Sequence, residues 1–158
     1  MQRPRDDAPL RFEAVGPTHA DAVALARAAT DEVTRMYADL DLSYAPSLER
    51  LLADRGGTVL VAYAAERPVA CGAVRLLDPR TAEIKRMFVA SEWRGGGVGR
   101  RLLAELERAA TELGCELVRL DTGDRQLAAL ALYRSAGYDE IEAYNVQPGA
   151  LHWFEKRL

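Results

Sequence analysis

The segment with the most chemical potential runs from Arg94 through Gly95-Gly96-Gly97-Val98-Gly99 to Arg100. Consecutive glycines allow a backbone to curl so that several N–H groups point at one spot. The segment lies between a strand-like run and a helix-like run, and a helix N-terminus adds partial positive charge. The two arginines add full charges. The pattern therefore predicts a phosphate or pyrophosphate site, and the alternative is a flexible glycine turn that happens to precede a helix.

Two other phosphate-binding motifs do not fit this segment. A Walker loop ends in Gly-Lys-Ser/Thr, whereas Arg100 follows the last glycine here. A dinucleotide fingerprint that began at Gly95 or Gly97 would need its final glycine at Arg100 or Leu102. The spacing therefore excludes both of these nucleotide-binding motifs, and the prediction of a phosphate site is unchanged.

The glycine segment resembles a known family signature. Arg94-x-x-Gly97-x-Gly99 matches the Gln/Arg-x-x-Gly-x-Gly/Ala signature of the GNAT superfamily of acyl-CoA-dependent N-acyltransferases. A later segment resembles the second motif of that family, Asn-x-x-Ala-x-x-Leu-Tyr-x-x-x-Gly-Phe. Its residues here are Gln126-x-x-Ala129-Leu130-x-Leu132-Tyr133-x-x-x-Gly137-Tyr138. The resemblance extends over about Val59 to Tyr138, and both motifs occur in the family's order.

The resemblance implies an N-acetyltransferase that uses acetyl-CoA as cosubstrate and needs no metal. The acceptor would be a primary amine of a small molecule or peptide, attacking directly in a ternary complex. The residues implied to bind the cofactor are Met87, Phe88, Val89, Arg94, Gly95, Gly96, Gly97, Val98, Gly99, Arg100, Gln126 and Tyr133. Gln126 stands where the family often has asparagine, and its longer amide could still bond the pantetheine arm. The alternative is a catalytically idle acyl-CoA sensor or subunit with the same fold.

Two side chains and one backbone N–H are implied to do the chemistry. Tyr133 would protonate the leaving CoA thiolate, because a phenol with a reference pKa near 10 can donate to a less basic thiolate. Glu83 would deprotonate the attacking ammonium, directly or through one water, as in some branches of the family. By the same resemblance, the N–H of Met87 would stabilise the developing oxyanion. The alternatives are a packing role for Tyr133 and, for Glu83, an exposed carboxylate paired with Lys85 or Arg86.

The acceptor site in the resembling family is built from the first two helices, their connection and the late strands. Acidic and aromatic residues in those parts of the sequence suit a cationic amine, although a solvated acidic helix end explains them equally well. The candidates are Glu32, Tyr37, Asp39, Asp41, Tyr44, Tyr144 and Asn145.

Composition limits the remaining functions. The 158 residues fit one domain, which we expect over residues 9–158 after a disordered lead-in of residues 1–8. The net charge of −3, with no basic cluster, argues against nucleic-acid binding, and no apolar stretch reaches membrane-spanning length. Cys71 and Cys115 are expected to be reduced thiols of a cytoplasmic protein, and the isolated His19 and His152 predict no metal site. The family resemblance makes a homodimer plausible.

Secondary-structure patterns predict a mixed α/β fold with one sheet and flanking helices. By resemblance, the sheet should be mostly antiparallel and splayed between the strands Ala82–Val89 and Leu117–Asp121. Thr18 and Asp21 predict a capping box for the first helix. The expected strands are Leu10–Val15, Thr58–Ala65, Val69–Leu77, Ala82–Val89, Leu117–Asp121, Tyr138–Tyr144 and His152–Lys156. The expected helices follow Pro17, span about Asp31–Asp54 with a break near Ser43–Pro46, and cover Gly97–Leu113 and Gln126–Ala136.

Overall fold

A seven-stranded sheet organises residues 9–42 and 45–158, the part of the chain that the computed structural model describes. The lead-in expected at residues 1–8 and the acceptor candidate Tyr44 lie outside the described residues. The strands are β1 (Leu10–Val15), β2 (Gly57–Ala64), β3 (Arg67–Asp78), β4 (Thr81–Val89), β5 (Leu117–Thr122), β6 (Asp139–Ile141) and β7 (His152–Arg157). The helices are α1 (Ala20–Met36), α2 (Leu48–Leu52), α3 (Val98–Glu112) and α4 (Leu127–Ser135), with a 3₁₀ turn at Ser91–Trp93.

The strand order is β1-β2-β3-β4-β5-β7-β6, and only the β4–β5 pair is parallel. This arrangement follows from the chain, because tight turns join β2, β3 and β4 whereas α3 carries the crossover from β4 to β5. The mixed, mostly antiparallel sheet with flanking helices confirms the predicted fold class.

The parallel pair separates partway along its length. Pairing runs from Thr81 opposite Leu117 to Glu83 opposite Arg119. Beyond Glu83, β4 continues to Val89 without further pairing to β5. The predicted splay between these strands is therefore confirmed, and it leaves backbone groups of β4 free of the sheet ladder at its centre.

Apolar side chains cover both faces of the sheet. One face packs against α3 and α4, and α3 buries the stripe Val98, Leu102, Leu103, Leu106, Ala109 and Ala110. The other face packs against α1 and α2, through residues that include Ala22, Leu25, Leu48 and Leu51. Leu113, expected as the last residue of this helix, is its C-cap and is 38% exposed.

Several predicted helix boundaries were wrong. The N-cap of α1 is His19, whose Nδ1 accepts the backbone N–H of Asp21 at 3.3 Å, and not Thr18. α1 also continues unbroken to Met36, so no second helix begins at Asp31. Burial accompanies the continuation, because the buried residues Ala22, Leu25 and Ala29 are followed, past Asp31, by the buried C-cap residue Tyr37.

The segments after α1 and α4 are shorter than expected. Only Leu48–Leu52 is helical before β2, and the Ser47 hydroxyl caps it by accepting the N–H of Arg50 at 3.2 Å. β6 covers Asp139–Ile141 alone, because Tyr138 is drawn into the core and Tyr144 turns toward Glu83. Both cysteines are buried and free, and no described helix has the length and apolar character needed to cross a membrane.

Candidate active site

A β-bulge in β4 shapes the centre of the molecule. β3 advances by two residues from Ala73 to Cys71 while β4 advances by three, from Lys85 to Phe88. Arg86 adopts the left-handed conformation, with φ +58°, which is unusual for a residue with a side chain. Ile84 and Met87 both pack on the α3 face, and the bulge therefore places two cationic residues, Lys85 and Arg86, between them.

A cavity of about 260 Å³ lies where β4 and β5 separate. Its walls come from α1, α2, the β4 bulge, the end of β5 and residues 147–150. Four predicted site residues line it: Tyr37, Met87, Gln126 and Tyr133. The structure thus brings acceptor and cofactor candidates from three separate parts of the sequence to one cavity.

Tyr133 is positioned by α4 and held by aromatic packing. Its side chain is 6% exposed, and its ring lies 5.8 Å from that of Tyr138 and 5.9 Å from that of Phe154. The hydroxyl is 4.0 Å from the sulfur of Met87, at the splay. Burial, and secondarily the negative charge of Asp121, raise the pKa of Tyr133 because both disfavour the phenolate. The phenol therefore keeps its proton and can serve as a donor.

Glu83 has a different environment from the one expected. Its side chain is fully buried, so the alternative of an exposed strand carboxylate is wrong. The Arg75 guanidinium donates to Oε1 from Nε at 2.8 Å and from a terminal nitrogen at 2.7 Å, and the Tyr144 hydroxyl donates to Oε2 at 2.6 Å. Lys85 is more distant, at 3.9 Å. Glu83 is absent from the described residues that line the cavity, whereas its neighbours Arg75 and Lys85 line it.

Asp121 is a functional candidate that the sequence reasoning missed. It lines the cavity near the end of β5, where its Oδ2 accepts a bond from Lys85 Nζ at 2.9 Å and from Asn145 Nδ2 at 3.4 Å. The available signal was its position, because polar residues at the carboxyl end of a parallel strand commonly face a ligand site. Asp121 and Lys85 thus form an ion pair in the cavity wall, and their opposite charges neutralise each other.

The glycine turn has room around its backbone. Gly95 and Gly97 have φ of +83° and +81°, and a Cβ added at either would meet no atom within 4 Å. Gly97 is the N-cap of α3, so the N–H groups of the first helical turn have no carbonyl partner within the helix. This open turn could bind a phosphate through its backbone N–H groups, without any side chain.

The two arginines of the turn have protein partners. Arg94 donates from Nε to the carbonyl of Val89 at 2.8 Å and from a terminal nitrogen to Glu32 at 2.8 Å. Arg100 bonds the hydroxyl of Ser135. The phosphate prediction therefore rests more on backbone N–H groups than on these guanidinium groups.

The acidic acceptor candidates are mostly engaged elsewhere. Glu32 pairs with Arg94, and Asp39 pairs with Arg125 at 2.8 Å, a bond that lowers the pKa of Asp39 to about 2. Asn145 accepts the indole N–H of Trp153 at 2.8 Å, and Asp41 is exposed.

Tyr37 is the described acceptor candidate that lines the cavity, and its hydroxyl accepts the backbone N–H of Arg125 at 3.0 Å. Tyr144, another candidate, instead donates its hydroxyl to Glu83.

Comparisons with known proteins agree with this architecture. The model of the Acetyltransferase (GNAT) family matches residues 22–138. The chain is 39% identical over 101 residues to an IAA acetyltransferase of Azospirillum brasilense, covering 63% of this chain and 60% of that protein. It is 31% identical to an aminoglycoside N(6')-acetyltransferase type 1 of Stenotrophomonas maltophilia, covering 60% and 68%. A solved structure from Klebsiella pneumoniae, described as an acyl-CoA N-acyltransferase, is 33% identical with a TM-score of 0.76, covering 96% and 99%.

Proposed function

Because the chain belongs to the Acetyltransferase (GNAT) family, we propose that it transfers an acetyl group from acetyl-CoA to a primary amine of a small molecule or peptide. The amine attacks directly, while both substrates are bound. The matched region spans 60% of the Azospirillum relative, which is named as an IAA acetyltransferase.

One observation carries the proposal: the Tyr133 hydroxyl lies 4.0 Å from Met87, at the point where β4 leaves β5. Acyl transfer needs a donor for the leaving group and a donor for the carbonyl oxygen. Tyr133 supplies the first as a protonated phenol, and the backbone N–H of Met87 supplies the second. Both are held by the core, since Tyr133 is buried and Met87 packs against the α3 face.

The residues around the groove fit the cosubstrate. The turn at Gly95 and Gly97 offers open space and backbone N–H groups to a pyrophosphate. The edge of β4 from Met87 to Val89, unpaired to β5, offers peptide groups to the pantetheine amides in the manner of an added strand. When bound, acetyl-CoA supplies the activated acetyl group as a thioester.

The proton of the acceptor ammonium leaves toward the buried charge network. Asp121 and Lys85 face the cavity, and Glu83 lies behind them, bonded to Arg75 and Tyr144. We assign Glu83 as the base acting through a relay, because a neighbour or a water must bridge it to the cavity. A free amine can then attack, since its ordinary pKa near 10 would otherwise keep it protonated.

The cysteines argue against an acyl-enzyme. Burial raises the pKa of Cys71 to about 12, and burial also raises the pKa of Cys115. A thiol that stays protonated is a poor nucleophile. The state of both cysteines therefore supports the proposal that the amine attacks acetyl-CoA directly.

The experiment that tests this function compares Tyr133→Phe with Tyr138→Phe. Both tyrosines are buried in the same core, but the Tyr138 hydroxyl donates to Glu107 at 3.0 Å, away from the cavity. We expect Tyr133→Phe to lower kcat by about 100-fold or more, the usual contribution of a general acid. Acetyl-CoA affinity, measured by calorimetry, should change little in either variant. Equal kcat values for the two variants would remove Tyr133 as the acid.

A further inference from the structure

The charged groups that line the cavity do not balance internally. Among the described lining residues, three are cationic, Arg75, Lys85 and Arg86, and one is anionic, Asp121. Arg75 is paired with the buried carboxylate of Glu83, and Lys85 is paired with Asp121. Of these three cationic residues, Arg86 is therefore the one that neither ion pair includes.

The surroundings of Arg86 are polar but carry no opposite charge. Its terminal nitrogens donate to the carbonyl of Pro46 at 2.6 Å and to the hydroxyl of Thr30 at 3.4 Å. Within residues 9–42 and 45–158, no carboxylate forms an ion pair with it. Desolvation by burial lowers the pKa of Arg86, and no nearby carboxylate opposes that effect. Buried or half-buried charges in proteins are ordinarily paired, so a guanidinium in this state is a ready anion site.

The backbone at Arg86 is also costly to maintain. A left-handed φ of +58° at a residue other than glycine is strained, and the bulge that contains it points the side chain into the cavity. A glycine would relieve the strain but would remove the guanidinium. The fold thus keeps a strained backbone at the position that places a guanidinium beside the splay.

We propose that Arg86 binds a carboxylate of the acceptor, so that the acceptor is an amine that also carries a carboxylate, such as an amino acid. This inference rests on the proposed function. The amine lies toward Tyr133 and Met87, and the carboxylate lies toward Thr30 and Pro46. An apolar side chain of the acceptor could contact the apolar lining residues Val33, Leu42 and Leu51.

The same charges disfavour a polycationic acceptor. An aminoglycoside or polyamine would bring additional ammonium groups to a wall in which Arg86 has no anionic partner among the described lining residues. Like charges at short range in a desolvated site repel strongly. The aminoglycoside activity in the name of the Stenotrophomonas relative is therefore not the one we assign to this cavity.

The test measures kcat/KM for amino acids and for their matched carboxamides, which keep the amine and lose the negative charge. The enzymes are wild type, Arg86→Met, Arg86→Lys and a control, Arg27→Met, which removes an exposed cation of α1. We expect wild type and the control to prefer the acids by about 10- to 100-fold, the range for a charge-assisted contact. Arg86→Met should lose that preference and Arg86→Lys should keep part of it.

A purely structural role for Arg86 gives a different pattern. Loss of its bond to Pro46 would lower kcat/KM for acids and carboxamides by the same factor, and that result would overturn the proposal. Thermal unfolding checks that each variant is folded. A wild-type enzyme that acetylates carboxamides as well as acids would also overturn it, while leaving the proposed function in place.

Binding of product-like probes separates this inference from the proposed function. We would measure N-acetyl-leucine and N-acetyl-leucinamide by calorimetry with CoA present, in wild type and Arg86→Met. Tighter binding of the acid that depends on Arg86 supports the carboxylate site, even if no amine in the panel is acetylated. In that case the proposed function alone fails. Wild-type protein that binds the acid no better than the amide refutes the site.

Discussion

Replacing Gly97 by alanine tests whether the turn before α3 binds the cofactor phosphates. The matched control is Gly114→Ala, at the other end of the same helix. Both glycines have left-handed φ, +81° and +90°, and a Cβ added at either meets nothing within 4 Å. Each alanine should therefore destabilise the fold equally, by about 1–2 kcal/mol. The 15 residues of α3 separate the two sites by about 22 Å.

The two variants should differ in CoA affinity. At Gly97 the new methyl group and the shifted backbone disturb N–H groups that would bond a phosphate, and a hydrogen bond to a charged group is worth about 1.5–3 kcal/mol. One lost bond corresponds to a Kd about 10- to 150-fold higher. Isothermal calorimetry with CoA gives the Kd, and urea unfolding gives the free energy of unfolding. Equal CoA affinity in the two variants, with matched stability losses, would refute the assignment of the turn.

Two further substitutions test the buried groups around the cavity. Glu83→Gln should lower the free energy of unfolding by about 3 kcal/mol, since it strands the Arg75 guanidinium, whereas the exposed-pair control Glu112→Gln should have little effect in urea unfolding. The same Glu83→Gln variant should alter the acid limb of the pH–rate profile, and an unchanged limb would exclude Glu83 as the base. Gly123→Ala should cost about 1–3 kcal/mol, because its Cβ would fall 1.9 Å from the Tyr37 hydroxyl. Gly16→Ala is its control, because a Cβ added at Gly16 meets no atom within 4 Å. Equal losses of stability in the two variants, measured by thermal unfolding, would contradict the close packing of Tyr37 against Gly123.

Local patterns were sufficient to predict most of the sheet. β2, β3 and β4 are rich in β-branched and apolar residues and are joined by short turns, so pattern alone located them within one or two residues. The apolar stripe of α3 and its glycine boundaries were equally clear. Residues 31–36 were expected to be helical, but as the start of a second helix, whereas they are the last turns of α1, which continues to Met36. Local patterns did not reveal that continuity, because it depends on tertiary burial of residues on both sides of Asp31, Ala29 and Tyr37.

The charge pairs of the site depend on contacts that sequence spacing does not reveal. Lys85 and Asp121 are 36 positions apart, and Tyr144 bonds Glu83 across 61 positions. Both contacts form only once β4 and β5 are neighbours and the segment after β6 folds back. The bulge that gives Arg86 its left-handed backbone is likewise a property of the β3–β4 register. The pairing of two acidic acceptor candidates, Glu32 with Arg94 and Asp39 with Arg125, is equally a product of the fold.

The most direct test of the central claim follows both products of the reaction. Purified protein would be incubated with acetyl-CoA and a panel of amines, and mass spectrometry and thiol titration would quantify acetylated amine and free CoA. We predict equal amounts of the two for at least one amine class, and a large loss of both in Tyr133→Phe. Tight acetyl-CoA binding with no acetylated amine from any class would contradict the account and indicate an acyl-CoA-binding protein without transferase activity.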